Sequence, residues 1–90
     1  MWVRSQNKEM LINANNIRII SDSRSYDIIC DFYDGEYYYL GEYSTKEKAL
    51  KVMDMIQKYI VLGSLKYPND NDIQWLRSYV FQMPKDEEVE

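Results

Sequence analysis

The chain has 90 residues, of which 46% are hydrophobic and 29% charged, with a formal net charge of −4. That length supports one domain, and the composition is that of a folded protein rather than a disordered one. There is no histidine and only one cysteine, which removes the commonest general base, an intrachain disulfide and any cysteine-rich zinc site.

The excess acid is concentrated at one end. Lys85 to Glu90 hold one lysine and four acids, leaving ten bases against eleven acids elsewhere. A near-neutral domain with an acidic tail repels phosphate, so nucleic acid is disfavoured as a partner. Met1 to Gln6 lack the apolar segment of a signal peptide, and no apolar run approaches the roughly 20 residues of a membrane helix. A lone cysteine without an export signal leads us to expect a cytoplasmic protein and no membrane partner.

In chain order, Trp2–Arg4, Met10–Ala14 and Ile17–Ile20 are short and rich in β-branched residues. They read as strands, with a tight hairpin expected at Asn15-Asn16 because asparagine tolerates left-handed backbone. Asp22 to Ser25 reads as a loop. From Tyr26 to Tyr33, Tyr26, Ile28, Cys30 and Phe32 alternate with Asp27, Ile29, Asp31 and Tyr33, the period of a half-buried strand. Asp34-Gly35 then predicts a two-residue turn into a strand over Glu36–Tyr43. Such a turn pairs Asp31 with Tyr38, Cys30 with Tyr39, Ile29 with Leu40 and Ile28 with Gly41. It places Ile28, Cys30, Phe32, Tyr37 and Tyr39 on a core face, where Gly41 admits a close helix. Ile29, Tyr33, Tyr38 and Leu40 fall on the reverse.

Ser44 to Glu47 reads as a capping box, with Tyr43 stapling onto the first turn. Ala49, Val52, Met53, Ile56, Tyr59 and Ile60 then form one helical stripe. Glu47 with Lys51, and Asp54 with Lys58, are favourably oriented i,i+4 pairs. Gly63 is the expected C-terminal cap. Gly63 to Asp72 reads as a loop, Ile73–Arg77 as a short helix or the start of a strand, and Ser78–Met83 as a final strand stopped by Pro84. The expected fold is α+β: an antiparallel β-meander with one long amphipathic helix packed across the sheet and a C-terminal strand. Residues 1–84 form the single domain, and 85–90 are expected as an acidic disordered tail.

Few residues suggest reaction chemistry. Asp70, Asp72 and Gln74 fail as a calcium loop, since Trp75 stands at the sixth position and Phe81 at the twelfth. Cys30 has no histidine to activate it and reads as a small buried hydrophobe. Asp27 and Asp31 are about 13 Å apart along a strand, too far for a paired-carboxylate site. The three glycines are scattered, so no phosphate loop exists.

Nine tyrosines are the compositional anomaly. Ile29, Tyr33, Tyr38 and Leu40 are expected on one aromatic-aliphatic face, which either is covered by the first three strands or the Trp75 region or serves as a contact surface, since tyrosine combines area with a polar tip. A protein-protein interaction module follows from the latter, self-associating as a homodimer or binding a partner. No catalytic, cofactor-binding or metal-binding residue is assigned. An enzyme is disfavoured because only carboxylates, lysine and tyrosine remain as acid–base groups. A small-ligand protein that stacks a nucleotide on Tyr and Trp is the alternative from a different class.

Three stretches carry a resemblance: Met1-Trp2-Val3-Arg4-Ser5-Gln6, the run from Leu40-Gly41-Glu42-Tyr43-Ser44-Thr45-Lys46-Glu47 through Gln57, and Val80-Phe81-Gln82-Met83-Pro84. Together they resemble a group of small proteins of low-G+C Gram-positive bacteria and their phages and prophages, a group with no established activity. The resemblance implies a cytoplasmic accessory protein of a bacterium or phage, and adds the reading of an inhibitor that docks on a host protein. It carries over no functional residue.

Overall fold

A computed structural model describes residues 1–64 and 80–90. The fold is α+β. Among the described residues the strands are β1 (Trp2–Arg4), β2 (Leu11–Asn13), β3 (Asn16–Ser21), β4 (Tyr26–Asp31), β5 (Tyr37–Tyr43) and β6 (Phe81–Gln82), with one long helix, α1 (Lys46–Ser64), following β5. Among the described residues no helix is long and apolar enough to cross a membrane. Ile73–Arg77, the loop before it, the calcium-loop test and the first residues of the expected final strand lie outside the described residues.

The strands divide into two three-stranded sheets, ordered β2-β1-β6 and β3-β4-β5. The expected hairpin at Asn15-Asn16 therefore does not form. The real hairpin joins β1 to β2, with Val3 opposite Ile12. Buried Ser5 ties its turn: the backbone N–H of Ser5 donates to the Met10 carbonyl at 2.8 Å, and its hydroxyl accepts from the Met10 N–H at 3.0 Å. Asn15 is the corner where the chain leaves one sheet for the other. The final strand lies parallel to β1, pairing Val3 with Phe81 and Arg4 with Gln82.

The second sheet is the antiparallel meander, and α1 packs on it against β4 and β5. Ala49, Val52 and Ile56 of the helical stripe join Ile28, Cys30, Leu40 and Tyr43 of the meander and Val3, Ile12 and Phe81 of the other sheet in one core. Tyr59 stands edge-on to Phe81, with ring centroids 5.5 Å apart, and links the helix to β6. Ile60, expected in the stripe, is exposed instead.

The helix ends also differ from expectation. Thr45, not Ser44, caps the N-terminus: its hydroxyl accepts from the Lys48 N–H at 3.1 Å. Ser44 is taken by the chain end, giving its N–H (2.9 Å) and its hydroxyl (3.1 Å) to one oxygen of Asp86. The helix continues through Gly63 to Ser64. Neither i,i+4 pair closes within 4 Å; Lys51 donates to the Glu90 backbone carbonyl. Residues 85–90, expected to be disordered, are seated on the fold, with Val89 buried in the core and Lys48 paired with Asp86 at 3.6 Å.

Candidate protein-interaction surface

The β4–β5 hairpin decides which residues meet water. Asp34 (φ 62°) and Gly35 (φ 77°) both take the left-handed backbone that the Asp-Gly signal calls for. The loop nevertheless holds three residues, because the Phe32 N–H donates to the Glu36 carbonyl at 2.7 Å. The register is thus one residue off expectation near the tip: Asp31 faces Tyr37, Cys30 faces Tyr38 and Ile29 faces Tyr39. A bulge then inserts Leu40, and Ile28 faces Gly41 as the two-residue turn had predicted.

This one-residue slip corrects four placements at once, since alternate strand residues occupy opposite faces. Tyr38 shares the helix-side face with Cys30, and its ring stands edge-on to Phe32 at 4.8 Å. Tyr37 and Tyr39, expected in the core, lie on the reverse face with their rings 5.5 Å apart. Leu40, expected at the surface, is 1% exposed and belongs to the core, because the bulge turns both Leu40 and Gly41 inward. Ile29 does lie on the reverse face, yet it is 0% exposed between its cross-strand neighbours Arg18 and Tyr39. Tyr33, at the loop, is 88% exposed. Of the four expected surface residues, only Tyr33 and Tyr38 reach solvent, and they do so on different parts of the hairpin.

The exposed aromatic surface is therefore Phe32, Tyr33, Tyr37, Tyr38 and Tyr39, five of eight consecutive exposed residues from Phe32 to Tyr39. The alternation from Tyr26 to Phe32 marks the strand, but β4 is buried on both faces and not half-buried, since Asp27 and Ile29 are enclosed as well as Ile28 and Cys30. Loop length and the bulge set the register, and neither has a reliable local signature.

The reverse face is also charged. Arg18 pairs with Asp31 at 2.8 Å, which holds the Asp31 carboxyl below its ordinary value and raises the Arg18 guanidinium. Further along, a cleft of about 540 Å³ opens between the Ser5–Asn7 turn, the Asp22–Ser25 loop and the Tyr39–Glu42 part of β5. The wall at Ser5–Asn7 is fixed by Gln6. Its N–H donates to the Leu40 carbonyl at 2.7 Å, and its side chain both accepts from the Glu42 N–H at 2.9 Å and donates to the Glu42 carbonyl at 3.1 Å. This covers the outer edge of β5 beside the bulge. The Tyr39 phenol is raised above its ordinary value by the Tyr37 hydroxyl first, and less by the carboxylates of Asp27 and Asp22. Cys30 is buried, and among the described residues no cluster of ligating side chains is arranged to hold a metal.

Comparison of the chain with protein-family models, with curated proteins and with solved structures finds no match. The reading of this surface rests on its own chemistry.

Proposed function

We propose that this protein is a non-enzymatic interaction module that engages a protein partner, a second copy or a host protein, through the tyrosine hairpin and the reverse face of its sheet. The observation that carries the reading is the exposed run from Phe32 to Tyr39, with its five aromatic side chains. Aromatic area left in water adds nothing to the stability of the monomer, whereas Tyr is enriched where proteins meet. The chain has no histidine and its one thiol is buried, which supports a binding rather than a catalytic role.

The other readings draw less support. Trp2, the tryptophan among the described residues, is exposed in the β2-β1-β6 sheet and not with the tyrosines. The acidic tail that would imitate nucleic-acid charge in a phage-type inhibitor has Asp86 engaged by Ser44 and Lys48.

A benzoylphenylalanine introduced at Tyr33 of the full chain tests the proposal. We expect a cross-link to a second copy or to one defined host protein, abolished when Tyr37, Tyr38 and Tyr39 are all changed to Ser in a variant that keeps its circular dichroism. A chain that stays monomeric in sedimentation at micromolar concentration, and cross-links no more at Tyr33 than at Glu47, overturns it.

A further inference from the structure

The aromatic run does not account for Asp27. This residue sits in β4 between Ile20 of β3 and Glu42 of β5, and lines the cleft on the reverse face. It is only 5% exposed. Its carboxylate takes one hydrogen bond, from the Ser25 hydroxyl to Oδ1 at 3.0 Å, and Oδ2 has no partner among the described residues. The side chain is largely enclosed and holds one neutral donor, while Oδ2 is left open to the cleft, where a cation can pair with it.

The neighbours add negative charge to the same cleft. Glu42 stands directly opposite Asp27 in the ladder, an arrangement that destabilises a sheet by like-charge repulsion. Asp22 contributes a third carboxylate to the same cleft. Arg24 is the one basic residue in the lining, and among the described residues it makes no ion pair with any of the three. The three carboxylates are not gathered closely enough to share a metal ion. What matches a spread of carboxylates around a wide cleft is a planar organic cation. Tyr39 supplies an aromatic wall on which such a cation stacks.

We propose that this cleft receives an arginine side chain of the partner, its guanidinium paired with Oδ2 of Asp27 and with Glu42 and laid against the ring of Tyr39. Arginine fits better than lysine because its donors are spread in a plane and stack on aromatic faces, whereas an ammonium is a compact, strongly hydrated point charge. The proposal rests on the reading of the reverse face as a contact surface, and names the chemistry of what that surface takes.

The isotope-labelled full chain is titrated with an acetylated, amidated Gly-Arg-Gly peptide and followed by amide chemical shifts. We expect shifts at residues 22–25 and 39–42, and weaker binding as salt rises. Asp27→Asn, which keeps the shape of the side chain, should weaken binding by roughly thirtyfold or more. Glu42→Gln, at an exposed position, should weaken it less, and serves if Asp27→Asn does not fold. Gly-Lys-Gly should bind more weakly and Gly-Glu-Gly not at all. Absence of shifts, undiminished binding by a folded Asp27→Asn chain, or a lysine peptide that binds as tightly overturns the arginine cleft. The Tyr33 cross-link, made outside the cleft, separates the two proposals. If it persists while the arginine peptide fails, the cleft alone falls; if the peptide binds but no cross-link forms, the contact surface alone falls.

Discussion

The Tyr43 hydroxyl lies 2.9 Å from where a Cβ on Gly41 would stand. A bare Gly41 leaves room for this ring, a neighbour that the expectation of a close helix does not include. The ring cannot swing aside cheaply. Tyr43 is fully buried, and its hydroxyl donates to the Pro84 carbonyl at 2.7 Å, joining β5 to the segment after β6. Burial pushes its phenol well above the ordinary range, with Asp86 and Glu88 adding in the same sense. Gly41→Ala should therefore cost about 1–3 kcal/mol by overpacking. Urea denaturation measures it, and an unchanged midpoint would mean that the ring is free to move.

Ile29 and Leu40 should behave as core residues. Each is almost completely buried, so Ile29→Ala and Leu40→Ala should each cost about 2–5 kcal/mol. Tyr33→Ala, at an exposed loop, should leave the melting temperature unchanged while removing contact area. Thermal denaturation of the three variants distinguishes this arrangement from one in which Ile29, Leu40 and Tyr33 share one surface.

Gly35 tests the loop. Its φ is +77°, and an added Cβ would meet nothing within 4 Å. Gly35→Ala therefore isolates the cost of left-handed backbone, about 1–2 kcal/mol. A loss well below that, read from the same denaturation curves, would indicate a turn that adopts negative φ.

The chain end should contribute an acid-sensitive contact. The backbone N–H of Ser44 holds the Asp86 carboxyl below its ordinary value, with the Ser44 hydroxyl and Lys48 acting in the same direction. A carboxyl whose folded pKa is depressed stabilises fully above its unfolded value, near 3.8, and less as pH falls through the lower folded value. The stability difference between the native chain and Asp86→Asn should thus be constant at neutral pH and shrink below about pH 4. Urea midpoints across a pH series check it; a difference independent of pH down to the acid transition would remove Asp86 as the cause. Deleting residues 85–90 should destabilise the protein further, because it also takes Val89 out of the core.

Much of this molecule is legible locally. The two-residue period from Tyr26 to Phe32 marks β4, and the stripe of Ala49, Val52 and Ile56 marks α1, because side-chain direction repeats with the backbone. Left-handed Asp34 and Gly35 follow from residue type alone. Within the candidate site, the concentration of tyrosine in the hairpin is legible in the same way, and Tyr33 and Tyr38 reach solvent. The cleft is not legible. It is walled by Ser5–Asn7, by Asp22–Ser25 and by β5, and no spacing along the chain relates Gln6 to Glu42.

Sequence alone thus sets the kinds of element, their order and the helical face that turns inward, since each follows from residues a few positions apart. Tertiary structure decides the rest: β1 shared between β2 and a parallel β6, Leu40 inserted as a bulge, Ser44 drawn to Asp86 and away from the helix cap, and Asp27 enclosed beside Glu42. Every one of these depends on which distant segment satisfies a strand edge or an unpaired N–H. Competition among such partners is settled by the whole packed chain, and local periodicity does not record its outcome.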